Sequence, residues 1–213
     1  AAATPRSPSS YQRAIQSSAV VINEFLASNQ NGLTDEDGDH SDWLELYNSG
    51  AVAIDLTGWS LTDDAANPGK WLFPARTLAP NAYLVIFASG KNRAPPSGEL
   101  HTSFSLSAAG EYLGLYDSAD PRLVVDEFTP EFPQQYGDIS YGRYGAGEYR
   151  YYAHPTPGAL NDASAAYLGI VDDVTYSLPR GYYYDDQFTV SLQTTTAGAS
   201  IRFSYMRRTT SDA

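Results

Sequence analysis

The sequence predicts an all-β fold, a sandwich or barrel of short strands, on three observations. Apolar residues alternate with polar ones over short runs, turn-forming residues separate those runs, and aromatic residues are heavily used. The chain holds 17 Tyr, 8 Phe and 3 Trp, side chains that suit a pleated, half-buried surface. Its 17 Gly and 13 Pro supply the tight connections such a fold needs.

The N-terminal stretch AAATPRSPSS reads as a flexible leader within residues 1–18, because its prolines and serines resist regular structure and bury nothing. YQRAIQSSA (11–19) is the one segment with a short helical periodicity. Order begins at AVVINEFLAS (19–28), where alternation puts Val21, Asn23 and Phe25 on one face and Val20, Ile22, Glu24 and Leu26 on the other. Strand-like runs follow at DWLELYN (42–48), AIDLTGWSLTD (53–63), KWLFP (70–74) and AYLVIFAS (82–89). Two more are EYLGLYD (111–117) and LVVDEFT (123–129). NSG, NPGK, LAPNA, SAAG and SADP lie between these runs and carry turn chemistry. The core expected from alternation holds Ile22 or Phe25, with Leu46, Leu56, Trp59, Phe73, Val85, Leu113 and Val125. Composition shifts near residue 160, so that 162–169 reads as a linker and 170–213 as a second, short β-module. Its apolar positions are Phe188, Val190 and Leu192, then Ile201, Phe203 and Tyr205. So short a piece is marginal as an independent core.

Charge narrows the function classes. With 13 basic residues against 25 acidic ones, the net charge is −12, so phosphate backbones and anionic membranes are repelled on average. Nucleic acid is therefore not an expected partner. No run reaches the roughly 20 apolar residues of a membrane helix, and no cysteine is present, which excludes disulfides and thiol nucleophiles. An initial Ala in place of Met reads as a processed or excised chain. His40, His101 and His154 fall in separate segments outside any HExxH or GxSxG context, so no catalytic residue is assigned. His101 reads as a strand cap or loop residue and His154 as a turn residue.

INEFLASN, DEDGDHSDWLELYNSG, IDLTGWSLTDD, KWLFPARTLAPNAYLVIFASGK, LHTSFSLSAAGEYLGLYD and DISYGR…HPTPGALN occur in that order. This succession resembles a bacterial lamin tail domain over residues 19–161, which implies an immunoglobulin-like β-sandwich. VTYSLPRGYYYDDQFTVSLQTTTAGASIRFSY is similar to the chitobiase/hexosaminidase C-terminal type of β-module. That module usually continues into a Thr-x-Asp-Gly turn, whereas this chain reads MRRTTSDA, so the second module is expected to be incomplete. The resemblance implies a noncatalytic structural or interaction module of a secreted or cell-surface bacterial protein. As part of a larger multidomain chain it would act as a spacer or in adhesion, its partner a protein or a cell-surface glycan. The chromatin contacts of nuclear lamin tails do not carry over to so acidic a chain. A carbohydrate-binding module is the first alternative, because GRYGAGEYRYY (142–152) and GYYYDDQF (181–188) concentrate tyrosines. An accessory domain of a hydrolytic enzyme is the second.

DEDGDHSDWLE (35–45) holds four aspartates and two glutamates, a density that demands screening. Asp35, Asp37 and Asp39 alternate around Gly38, and Glu45 or Asp42 can add a carboxylate, a hard-oxygen set that suits calcium. The register is not that of an EF-hand, because Gly38 precedes the third acid and Glu45 falls at the eleventh position. In the family pattern Asp42 and Asn48 satisfy turn amides, which makes Asp42 a cap. Two readings stand at this point: carboxylates facing water, or a calcium ion held by Asp35, Asp37, Asp39 and Glu45.

Overall fold

Short alternating runs close into sheets only when each finds a partner, and the register of that pairing decides which side chains are buried. The computed structural model describes residues 19–145, 147–181, 183–184 and 187–203. The expected leader, all but the last residue of the expected helix, and Tyr205 with the following MRRTTSDA lie outside them. Twelve strands build the first unit: β1 (Val20–Leu26), β2 (Trp43–Asn48), β3 (Ile54–Asp55), β4 (Ser60–Thr62), β5 (Trp71–Leu72), β6 (Thr77–Leu78), β7 (Tyr83–Phe87), β8 (Leu113–Tyr116), β9 (Val124–Phe128), β10 (Ser140–Tyr144), β11 (Glu148–Tyr152) and β12 (Ala166–Tyr167). They form an antiparallel six-stranded sheet in the order β12-β11-β10-β1-β2-β7, a four-stranded sheet β5-β4-β8-β9, and the small pair β3-β6. The fold is all-β, an immunoglobulin-like sandwich. Among the described residues no helix is long and apolar enough to cross a membrane.

The core lies between the two main sheets and takes in Ile22, Phe25, Leu46, Leu56, Trp59, Phe73 and Leu113. Both Ile22 and Phe25 are buried in it, although strict alternation puts them on opposite faces. A β-bulge explains this: Ile22 pairs with Leu46 and Glu24 with Glu45, so Asn23 is the extra residue. Val85 departs from expectation by one phase. Ile86 and Leu84 point to the core, while Val85 joins Leu26, Trp43 and Phe87 in a second apolar cluster. Val125 is half-buried at the core margin. The run 53–63 breaks into β3 and β4 because Gly58 adopts φ 75° and Asp55 Oδ1 accepts from the Thr57 N–H at 2.9 Å. Such an Asx turn competes with the ladder.

The last residue of β7, Phe87, is paired on its outer side as well. Leu100–Thr102 runs along it, with the Phe87 N–H donating to Leu100 O at 2.8 Å and the Thr102 N–H to Phe87 O at 2.9 Å. On its other side His101 exchanges backbone hydrogen bonds of 3.0 and 2.8 Å with Arg93. The Phe87 end of an edge that would invite foreign strands is thereby covered, and His101 is pinned from both sides.

The chain divides between Leu168 and Gly169. In the second unit β13 (Thr175–Tyr176) pairs with β14 (Leu192–Gln193), and none of its described residues is fully buried. Tyr184 is 97% exposed and Phe203 76%, so little apolar surface leaves water here.

Two expectations follow from this packing. Phe25 sits 4.7 Å from Phe132 and 5.2 Å from Phe128, ring centroid to centroid, so Phe25→Ala should cost about 3–5 kcal/mol in urea unfolding. A fragment of residues 169–213 alone should show no cooperative thermal transition; a sharp melt would mean that it buries a core of its own.

Candidate functional site

Two constellations of charged side chains stand out, one at the sandwich end and one on the face of the six-stranded sheet. The acidic loop shapes itself around Asp35, whose side chain is fully buried. Its Oδ1 accepts from the Asp37 and Asp39 N–H groups at 3.0 and 3.1 Å, and its Oδ2 from the Ser41 hydroxyl at 2.8 Å. Gly38, at φ 84°, turns the backbone through the left-handed region that glycine tolerates.

The cation that screens this loop comes from the chain itself. Lys91 Nζ lies 2.6 Å from Asp35 Oδ2, 2.7 Å from Asp37 Oδ2 and 2.9 Å from Asp39 Oδ2. Arg93 adds a second clamp, 2.7 Å from Asp37 and 3.1 Å from Glu36. Burial alone would raise the Asp35 carboxyl, but the Lys91 ammonium, Ser41 and two backbone N–H groups hold it well below the usual carboxylate range. The same ammonium holds Asp37 down, and the two acids in turn raise Lys91. The structure brings Asp35, Asp37 and Asp39 together and corrects the fourth member of the expected calcium set. Glu45 stands on β2, outside the loop, hydrogen-bonded to Asn23 and Gly158. Asp42 serves as a cap, accepting from the Asn29 N–H at 3.2 Å. Asn48 does likewise for Gly50 at 3.0 Å.

Glu45 belongs to the second constellation. The bulge at Asn23 puts Glu24 directly across from Glu45, two fully buried acids on facing strands, where like charges destabilise. Both are satisfied by donors from β1, from β10 and from the segment that returns after β11. Glu24 accepts from Ser140 Oγ at 2.5 Å, from the Thr156 N–H at 3.1 and 3.2 Å, and from Thr156 Oγ1 at 3.0 Å. Glu45 accepts from Asn23 Nδ2 at 2.8 Å and from the Gly158 N–H. Asn161 closes the network, its Oδ1 accepting from Asn23 Nδ2 at 3.0 Å and its Nδ2 donating to Arg143 O at 2.9 Å. Gly142 leaves room for it, since a Cβ there would sit 2.7 Å from Asn161 Nδ2 and 2.8 Å from Asn23 O. Burial pushes the Glu24 carboxyl up. Burial, with repulsion from Glu24, pushes Glu45 up to about 7.

At the bulge, Ile22 turns its free backbone groups to an ion pair. Its N–H donates to Asp126 Oδ2 at 2.8 Å and its carbonyl accepts from Arg143 Nε at 3.2 Å, while Arg143 Nη2 meets Asp126 at 2.7 Å. The family model for the lamin tail domain matches residues 13–131, more than half of the chain. The chain belongs to the lamin tail domain family. No curated protein matches it. Lamin tail domains are noncatalytic, immunoglobulin-like interaction modules. In this one, the segment that carries Thr156, Gly158 and Asn161 lies beyond the matched residues, so the family's core strand β1 is completed by chain outside them.

The tyrosines of 142–152 divide between packing and surface. Tyr152 is fully buried and Tyr151 nearly so, and Tyr149 packs against Phe128 at 4.9 Å. Tyr144 carries the Arg150 guanidinium 4.9 Å above its ring. Lys91, Thr156 and Asn161 were missed by sequence reading. The signal open to it was an acid set amid apolar residues in INEF and WLEL, which asks for a distant donor.

Calcium at the loop must compete with Lys91. Millimolar calcium should give no calcium-specific rise in the wild-type melting temperature over EDTA. Lys91→Met should melt lower in EDTA and recover in calcium more than in magnesium. The acid pair sets a pH slope. Because the folded Glu45 holds its proton up to about 7 against an ordinary 4.5, the unfolded chain releases it first. Stability is then fully present below about pH 4.5 and is lost as pH rises through about 7. This contribution is at most about 3 kcal/mol. The domain should unfold more readily in urea at pH 8 than at pH 5, and Glu24→Gln with Glu45→Gln should flatten that slope.

Proposed function

We propose that this lamin tail domain is a noncatalytic interaction module of a secreted or cell-surface protein, acting as a spacer or in adhesion within a longer chain. The observation that carries the reading is the charged sandwich end. Two loops, residues 33–42 and 89–101, are locked together by Lys91 and Arg93 while Asp37 and Asp39 keep 40% and 66% of their side-chain surface exposed. Loops fixed on a rigid sandwich are where such modules meet partners. Ordered loops also lose less entropy on association than mobile ones. The partner this end suits is a basic protein surface, recruited by charge and sensitive to salt. Residues 170–213 enter the same reading as a second β-module of the chitobiase/hexosaminidase C-terminal type, supported by the β13–β14 hairpin.

Carbohydrate binding is a second reading, favoured by a groove of about 310 Å³ lined by Tyr47, Tyr144, Asn23, Asn161 and Arg143. Tyr47 stacks on Tyr83 at 4.5 Å beside it, and aromatic faces suit a sugar ring.

Labelling of intact cells with a membrane-impermeant reagent tests location; labelling only after lysis would remove the surface reading. Purified protein should bind cell surfaces saturably, less in high salt, and lose binding in Asp37→Asn/Asp39→Asn. Binding that instead survives salt, appears on a glycan array and disappears in Tyr144→Ala would favour the carbohydrate reading.

A further inference from the structure

His101 is fully buried, yet among the described residues its Nε2 finds no hydrogen-bond partner. A buried polar nitrogen without a partner is costly and rare. The other ring nitrogen, Nδ1, lies 2.9 Å from Ser89 Oγ, and the ring stacks on Phe87 with centroids 5.3 Å apart. Backbone pairing to Phe87 and Arg93 fixes the residue further, so the direction of Nε2 is set by the fold.

Nε2 points at two carboxylates. Glu36 Oε1 is 3.6 Å away and Glu99 Oε2 is 4.0 Å away, both too long for a hydrogen bond. The three atoms lie within 4.8 Å of one another. Ligands of a zinc-sized ion, each about 2.0–2.2 Å from the metal, stand about 3.0–3.6 Å apart. Closing the difference takes small movements of Glu36 and Glu99, whose side chains are 43% and 39% exposed, with the metal displacing Arg93 from Glu36 Oε1. Glu99 Oε2 also accepts from the Glu36 N–H at 2.7 Å, which ties the two acids together. Around this point the loops bring five carboxylates (Asp35, Glu36, Asp37, Asp39 and Glu99) against the cations of Lys91 and Arg93. The uncompensated charge is negative.

We propose that His101 Nε2, Glu36 and Glu99 form a binding site for a divalent transition-metal ion of the zinc type. An imidazole with two carboxylates is a donor set for such ions, whereas calcium and magnesium take oxygen ligands alone. Ser89 serves as the outer partner that fixes the ring, accepting from Nδ1–H so that Nε2 presents its lone pair. Arg93, 3.1 Å from Glu36 Oε1, is the competing cation at the outer rim. With three protein ligands and exposed glutamates, water completes the coordination. The site differs in chemistry from the neighbouring aspartates, whose cation is Lys91. It also stands apart from the partner-binding reading, since zinc binding requires no partner and no particular location.

The test is a titration of the whole chain with zinc chloride at neutral pH, followed by calorimetry and by imidazole proton–nitrogen NMR spectra. The expected result is one saturable site that moves the His101 resonances, with calcium and magnesium leaving them in place. Glu36→Gln and Glu99→Gln should each weaken zinc binding at least about 10-fold, and the double variant should abolish it. Gln keeps an acceptor at each position, and melting curves of the variants without zinc separate lost binding from lost folding. Zinc that shifts only His40 or His154, affinity unchanged in the double variant, or no binding up to roughly 1 mM zinc would each overturn the proposal.

Discussion

The packing of this domain depends on one extra residue in its first strand. Asn23 inserts into the pairing of β1 with β2, and everything after it changes face. Without that step Ile22 and Phe25 could not both reach the core, and Glu24 would not stand across from Glu45. The bulge thus gains two large apolar side chains for the sandwich and creates a pair of buried acids in the same stroke. Buried carboxylates are tolerated only when paired, hydrogen-bonded or neutralised. Thr156, Gly158, Asn23 and Ser140 supply the hydrogen bonds, and the raised Glu45 carboxyl favours neutralisation.

Each group of acids has solved repulsion in a different way. At the sandwich end a permanent ammonium from another loop enters the cluster, and the carboxylates are held ionised. On the sheet the donors among the described residues are neutral, so desolvation wins and both carboxyls are raised. The partner decides between the outcomes, since the Asp35 side chain is as buried as Glu24 and Glu45 but meets an ammonium. Asp37 and Asp39 reach solvent, where charge is cheap, while Glu24 and Glu45 do not.

Much of the architecture was legible because alternation and turn chemistry are local. DWLELYN, AYLVIFAS, EYLGLYD and LVVDEFT each contain the strand they suggest. What alternation could not reveal was a change of phase. A bulge leaves the composition of a strand untouched, so Asn23 looks like any polar residue, and Val85 inherits a similar ambiguity in a run that is apolar on both faces. β6 escaped notice because two residues carry no period. The loop chemistry was half readable. The density of acids in DEDGDHSD announced a need for positive charge, but the residue that meets it lies 56 positions from Asp35 in sequence. Glu45 counted as a loop carboxylate through proximity along the chain, whereas the strand that begins at Trp43 carries it onto the sheet. His101 offered nothing in its own segment, because Glu36 becomes its neighbour only after folding.

The pairing of β1 also imposes an order of events during synthesis. One edge of β1 can be taken by β2 soon after the chain emerges, but the other edge waits for β10, with Phe25 meeting Tyr141. Thr156 and Gly158, donors to Glu24 and Glu45, come later still. At typical elongation rates of about 5–20 residues per second, the first strand spends on the order of ten seconds with an open side and two unprotected acids. Over that interval the nascent domain is a half-sandwich. Its long-range closure, rather than the assembly of local hairpins, sets both its folding speed and its exposure to mispairing.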